Sequence, residues 1–360
     1  MLIRQEVLAD AVSKIVTVCE RPTKTGTAVQ HFFYIKFQGT GSELKLSAGN
    51  MMRKVEILIK EVSSHEPFCL GVMGQQFHAL LSVLPPSNMV LEYNGTVLLL
   101  STGASSHYQL PVLQRDCFPT EPVPVDKWEP FEVNKFLAVL ASLSFCSNVG
   151  DEARAFARAV SITDSLIICT DGYRLCYVDN HILKPKEPAM YPIESISCFA
   201  NLFKGIKDGF VHLGDNSIHF SAEGRYAATS LLSGKPPNYK SALPKGANTT
   251  CVISRADLYE ALKRVRVCAK SAPAEFTFID NTCTVKVDSD NFKGQETVPC
   301  VYSGSATRMS LNSKYMHEAI KYLDGDKALL ELRGSQMPLV VKDDKEVMFN
   351  VIVPFRERDV

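Results

Sequence analysis

One helical spacing of apolar residues recurs six times along this chain, and it constrains the fold more than any other feature. Leu8, Ala11, Val12, Ile15 and Cys19 follow it, as do Phe136, Val139, Leu140, Leu143 and Cys146, and then Leu258, Ala261, Leu262, Val265 and Cys268. A second set falls between these: Phe77, Leu80, Leu81 and Leu84; Phe199, Leu202, Phe203 and Ile206; Met316, Ala319, Ile320 and Leu323. Residues at i, i+3, i+4 and i+7 share one side of a helix, so each stripe predicts a helix with one buried face. Behind each stripe comes β-rich sequence with turn signals, as in "MVLEYNGTVLLLSTG", "VHLGDNSIHFSAEGRY" and "ALLELRGSQMPLVVKDDKEVMFNVIV". The repeating unit is a helix followed by antiparallel strands; two units make a domain, and the domain occurs three times. The expected class is α+β.

A chain of 360 residues is longer than one core usually serves. "PTEPVPVDKWEP" (119–130) and "LPKGANTT" (243–250) read as linkers, which sets the expected domains at 1–123, 124–247 and 248–360. The strongest turn signal is Asp171-Gly172 in "IICTDGYRLCYV", which reads as a two-residue type I′ hairpin. It places a planar cation and an aromatic, Arg174 and Tyr173, at the start of a strand.

Chemistry of the enzymatic kind is sparse. No P-loop, G-x-S-x-G, H-E-x-x-H or G-x-G-x-x-G occurs, so no catalytic residue and no cofactor is expected. The 11 cysteines are scattered singly without C-x-x-C pairs, which argues against zinc and against a disulfide framework. No metal is expected. Of the 8 histidines only His212 and His219 approach one another in sequence, on opposite sides of one expected hairpin. Asp343-Asp344 and Asp288/Asp290 read as solvated hairpin tips. No apolar run reaches membrane-spanning length and the N-terminus is no signal peptide, so a cytoplasmic protein with no membrane partner is expected.

Lys+Arg and Asp+Glu both number 39, so net charge decides nothing about nucleic acid. Its distribution is more telling. "RADLYEALKRVRVCAK" puts Lys263, Arg264, Arg266 and Lys270 on a helix with an apolar stripe; Lys204 and Lys207 follow another, and Arg21 follows the first. Repeated basic helices in a near-neutral chain predict one positive surface that meets phosphates without reading bases.

Several of these segments together are similar to a known family. "CTDGYRLC", "PPNYKSALPK", "LNSKYMHEAIKYL", the closing "VIVPFR" and the early "ERPT" stand in the order and spacing of the bacterial-type DNA sliding clamp, the beta subunit of DNA polymerase III. The chain resembles that family over essentially its whole length. The resemblance implies three DNA-clamp domains per chain and a homodimer closed head to tail into a ring, helices inside and sheets outside. It implies a non-catalytic processivity factor that encircles duplex DNA without sequence preference. It also implies a hydrophobic pocket for short apolar-aromatic motifs of the replicative polymerase, the clamp loader and repair proteins.

Carried over position by position, that pocket is Thr170, Gly172, Tyr173, Arg174, Leu175, Pro237, Ala242, Asn312, Tyr315, Val351, Val353, Pro354, Phe355 and Arg356. The DNA-facing cations are Arg21, Lys204, Lys263, Arg264 and Arg266. The chain departs from the family at Tyr173, where His is common, at Gln336, where Val is common, and in the residues Glu357, Arg358, Asp359 and Val360 that follow the matching Arg356. It also largely lacks the charged pairs that family members carry on their joining edges. Ring closure is therefore expected through backbone pairing of an edge strand near 97–101 with one near 297–301 of the other chain. The alternative is a non-ring interaction scaffold built from the same domains.

Overall fold

Helices form at all six apolar stripes: α1 (Gln5–Ile15), α2 (Gly74–Val83), α3 (Val133–Leu143), α4 (Ile193–Leu202), α5 (Arg255–Ala269) and α6 (Ser313–Tyr322). The computed structural model describes residues 1–21, 29–60, 62–63, 67–103, 106–118, 127–269, 273–289 and 292–356. Most of the expected linker 119–130, Lys270, Asp290 and residues 357–360 lie outside the described residues. The stripe residues of α1 and α6, and Leu258, Ala261, Leu262 and Val265 of α5, are buried as their spacing predicts. In α3 the buried face is Val133, Phe136, Leu137, Leu140 and Leu143, while Val139 is only half-buried. Leu137 rather than Val139 completes that face, because the helix turns its Phe136–Leu140 edge toward the core and leaves Val139 at the margin.

Among the described residues one strand precedes each helix and three follow it, six times over. The single leading strand pairs with the first of the three strands of the adjoining repeat, and the exchange is reciprocal. Leu2–Arg4 joins Asn88–Tyr93 while Phe68–Met73 joins Tyr34–Thr40. Glu129–Phe131 joins Gly209–Leu213 while Ala189–Pro192 joins Ala159–Ile162. Thr249–Ser254 joins Lys327–Leu332 while Thr307–Asn312 joins Pro273–Ile279. All these pairings are antiparallel and build two 12-stranded sheets.

The chain forms two compact units, Met1–Ala138 with Glu194–Leu231, and Val139–Ile193 with Leu232–Val360. Each holds one sheet; the expected middle segment 124–247 contributes to both. In the first unit Phe131, Phe136, Phe199 and Phe203 surround Phe220 with ring centroids 5.9–6.3 Å away. In the second, α5 and α6 bury Leu258, Leu262, Met316 and Ile320 among Phe276, Phe278, Leu311 and Leu330. Each such side chain contributes about 1.5–3 kcal/mol of transfer free energy, which is why the polar faces of the helices can vary freely.

The last strand of each repeat decides how the repeats connect. Arg53–Ile59 pairs with Arg225–Ser230 in the first unit, and Arg174–Asp179 with Phe349–Ile352 in the second. Two last strands remain. Ser106–Gln114 pairs over 106–111 with Val97–Thr102, but on its other side only 112–114 pair, with Phe68–Met73. Phe292–Tyr302 pairs over 292–299 with Thr282–Ser289, but on its other side only 300–302 pair, with Thr249–Ser254. Among the described residues, one side of 106–111 and one side of 293–299 therefore carry backbone that joins no second strand.

This corrects the expected edges. Val97–Thr102 is paired on both sides, with Leu98 and Leu100 buried, because a run of leucines suits a strand interior. The open edge is the next strand, 106–111. At the other end, 300 and 301 are already paired, and the open stretch lies earlier, at 293–299.

Candidate functional site

Asp171-Gly172 does not close a two-residue hairpin. Thr170 pairs with Leu175, so the loop is 171–174, and Gly172 alone of these residues has a left-handed φ, +89°. Side chains replace the turn that the backbone would otherwise make. Thr170 Oγ1 accepts from Gly172 N at 3.0 Å and donates to Arg174 O at 2.6 Å. Asp171 Oδ1 accepts from Tyr173 N at 2.9 Å and from Arg174 N at 3.1 Å. Glycine at 172 is favoured by its φ, which would strain any Cβ there; the Arg154 guanidinium lies over the same spot.

Arg174, expected at a pocket wall, is buried at 5% exposure. Its Nε donates to Asp171 Oδ2 at 3.1 Å, Nη1 to Glu318 Oε2 at 2.5 Å and Nη2 to Phe145 O at 2.5 Å. The guanidinium also lies 4.1 Å from the Tyr315 ring centroid. A buried charge survives only when paired and hydrogen-bonded, and this one is. It ties the loop tip, the turn after α3 and helix α6 together. Burial, with Asp171 close by, pushes the Tyr315 phenol up to about 12, so it stays a neutral ring under the cation. Asn312 caps α6, its Oδ1 accepting from Lys314 N at 3.0 Å and Tyr315 N at 3.3 Å.

Leu175 alternates with Arg174 and so points to the other face of the sheet. It pairs with Val351, and Val351 pairs with Val340. These three and Ile168 form an apolar cluster, separate from the core under α5 and α6. Next along the same face, Tyr177 and Phe349 stack at 4.9 Å with planes 7° apart, and Lys342 Nζ sits 5.7 Å from the Phe349 ring centroid. Tyr239 and Leu243 pack against the cluster. Of the expected pair in that segment, Pro237 is half-buried, its carbonyl accepting from Tyr239 N, while Ala242 is exposed and donates its N–H to Tyr239 O.

The chain's end forms a rim. Val353 N donates to Tyr173 O at 3.1 Å, and Phe355 N to Ser310 O at 2.8 Å. Tyr173, Val353 and Phe355 are 62%, 49% and 41% exposed, Pro354 is buried, and Arg356 is exposed. The expected residues are thus brought together in two groups, Leu175 with Val351 on the floor and Tyr173 with 353–356 at the rim. Thr170, Arg174, Asn312 and Tyr315 brace them. Sequence reasoning missed Ile168, Val340, Tyr239 and Leu243. The i, i+4 apolar pair Tyr239/Leu243 inside "PPNYKSALPK" was the available signal.

The expected DNA-facing cations divide between the units, Arg21 and Lys204 in the first, the rest in the second. Arg21, Lys204, Lys263 and Arg264 are exposed. Arg264 grips Glu296 through two bonds of 2.8 Å, and Lys263 reaches Glu260 at 3.4 Å, so α5 is less positive than its sequence suggests. Arg266 Nη1 donates to His317 Nδ1 at 2.9 Å; burial, then Arg266, lowers the His317 pKa and keeps that nitrogen an acceptor. Among the described residues no group of three or more His, Cys, Asp or Glu is placed to hold a metal, and no helix is long and apolar enough to cross a membrane.

Residues 240–356 match the family described as DNA polymerase III beta subunit, C-terminal domain. The chain is 22% identical over 349 residues to the beta sliding clamp of Staphylococcus epidermidis, covering 89% of this chain and 91% of that one. It is 25% identical over 281 residues to the beta sliding clamp of Synechococcus elongatus, covering 73% and 74%. In structure it is similar to the DNA polymerase III subunit beta of Pseudomonas aeruginosa, with a TM-score of 0.89 at 19% identity over 99% of this chain and 100% of that one. A sliding clamp of the same organism bound to griselimycin gives a TM-score of 0.90, again at 19% identity and covering 99% of each chain. Residues 240–356 thus belong with the C-terminal domains of the DNA polymerase III beta family, and the chain as a whole has the fold of the beta sliding clamps, which it resembles in sequence over most of its length.

Proposed function

We propose that this chain is a DNA sliding clamp: a cytoplasmic, non-catalytic processivity factor that closes around duplex DNA as a homodimeric ring and tethers a replicative polymerase. The carrying observation is the accounting of last strands. Four of the six pair with one another inside the chain, and the two left over, at 106–111 and 293–299, each keep one side that joins no second strand among the described residues. Pairing 106–111 of one chain with 293–299 of another repeats the antiparallel join already made twice within each chain. Two such joins about a two-fold axis close a ring. Each pair of strand-exchanging repeats is then one domain, with boundaries at 1–123, 124–247 and 248–360.

Enclosure needs little direct affinity, so the cations at Arg21, Lys204, Lys263, Arg264 and Arg266 serve as loose phosphate contacts with no base preference. Loose contact permits sliding. Docking falls to the apolar floor and rim of the second unit, where an aliphatic and an aromatic anchor of a partner's flexible tail bury against Leu175, Val351, Val353 and Phe355. The polymerase, the clamp loader and repair proteins are the partners of this face.

The test is retention on DNA. Chain loaded onto closed circular duplex stays bound, and a single cut that linearises the circle releases it. Equal retention on both forms, or a marked base preference, overturns the topological reading.

A further inference from the structure

The paired histidines of the sequence have no part in clamping or docking, yet the fold places them together on the first unit. His212 and His219 are directly opposite one another on the antiparallel strands Gly209–Leu213 and Ser217–Ala222. Directly opposed residues project from the same face, and these rings lie 5.4 Å apart between centroids with planes at 72°. We propose that His212 and His219 form a two-imidazole site for a borderline divalent cation, of the class of Zn2+ or Ni2+.

The supporting geometry is that of ligands already oriented. His212 Nδ1 lies 2.8 Å from the Lys127 carbonyl oxygen. A carbonyl can only accept, so Nδ1 carries the proton and Nε2 of the neutral ring presents its lone pair. An imidazole that donates one N–H to a backbone carbonyl and offers the other nitrogen is the usual arrangement of a metal-binding histidine. Both nitrogens of His219 meet hydroxyls, Nδ1 2.8 Å from Tyr226 Oη and Nε2 2.9 Å from Ser217 Oγ, so its Nε2 turns to an ion only as the Ser217 hydroxyl rotates away or joins the ion's shell.

His212 Nε2 and the Ser217 hydroxyl that His219 Nε2 contacts both lie beside Gly214: a Cβ built there would stand 3.5 Å from His212 Nε2 and 3.4 Å from Ser217 Oγ. Trp128, 6.4 Å from His212 between centroids, and Tyr226 wall the site. An ion there takes two nitrogens at ~2.0–2.1 Å, displaces or accepts the Ser217 hydroxyl, and completes its shell with water. Imidazole nitrogen selects Zn2+, Ni2+ or Cu2+ over Mg2+ or Ca2+. The site spans two neighbouring strands, so the ion staples them.

The experiment is a calorimetric titration of the full chain with Ni2+ at neutral pH in a non-chelating reductant. Parent protein is compared with His212→Gln, His219→Gln and, as a control, His107→Gln. The expected result is one saturable site, weakened at least about tenfold by either of the first two changes and unaltered by the third; loss of an outer partner alone costs that much. A readout on the parent protein guards against misfolded variants: Ni2+ should broaden the imidazole NMR signals of His212 and His219 before any other. No saturable binding, binding unchanged in either His variant, or first broadening elsewhere (as at thiols) overturns the proposal. The outcome is independent of DNA retention, so it stands or fails apart from the clamp reading.

Discussion

Two strand joins in this molecule have the same topology and opposite surfaces. In the second unit the join of Arg174–Asp179 with Phe349–Ile352 points Leu175/Val351 and Tyr177/Phe349 to the face away from the helices. In the first unit, Arg225–Ser230 and Arg53–Ile59 put Tyr226/Glu56 and Ala228/Lys54 in the matching rows. Both joins begin with an arginine that donates to a carbonyl at the end of a helical segment, Arg174 to Phe145 O and Arg225 to Leu202 O. Such carbonyls lack helical partners and attract cations. The backbone is thus reused, and four side chains decide which join offers an apolar floor. On the proposed reading, docking is a property of those rows, not of the fold.

The sharpest way to break the comparison is at the two arginines. Arg174→Met takes the buried counter-charge from Asp171 and Glu318 and should cost about 3–5 kcal/mol. Arg225→Met removes a single charge-assisted bond and should cost about 1.5 kcal/mol. Denaturant midpoints measure both, and equal losses would show that Arg174 is no more of a brace than Arg225.

A smaller effect separates the surfaces. Phe355→Ala and Val353→Ala remove half-exposed anchors, so a partner peptide should bind roughly ten- to thirtyfold more weakly, about 1.4–2 kcal/mol. The melting temperature should barely move. If Phe355 instead plugs a core, stability falls and binding declines only with unfolding. Lys54→Ala on the polar join should leave peptide affinity unchanged; a comparable loss there would erase the distinction between the joins.

The smallest effect is in pH. In the same sheet, on the strand Lys327–Leu332, burial pushes the Glu331 carboxyl up, but hydrogen bonds from Lys342 and Arg333 outweigh it and hold the group below its usual 4.5. A depressed carboxylate contributes its full stabilisation at neutral pH and loses it as pH falls through the folded value. Glu331→Gln should therefore flatten the stability profile below pH 4.5 and leave it parallel to the parent's above about pH 6. A change confined to alkaline pH would contradict this.

How much of the molecule was legible in its sequence follows from the physics of each signal. The helices were readable because a buried face imposes a period that few other constraints mimic. The leading strands were not, since Leu2–Arg4 and Glu129–Phe131 are 3 residues each and show no alternation. Leu175 and Val351 were reachable only through family resemblance, because an apolar residue in a strand does not reveal which face it takes. Arg174 reads as accessible, as arginines usually are; its burial depends on Glu318, 144 residues away. The first open edge lies one strand past the expected 97–101 and the second lies earlier on the strand expected at 297–301, because pairing partners are not local in sequence.

The central claim is that the strand edges at 106–111 and 293–299 close two chains into a ring, and the mass of the protein in solution tests it most directly. Sedimentation at micromolar concentration should give twice the 39.8 kDa of the chain. Added salt should change this little, because backbone and apolar contacts rather than exposed ion pairs hold the join. A species of 39.8 kDa under those conditions, or a dimer that dissociates in modest salt, would contradict the account.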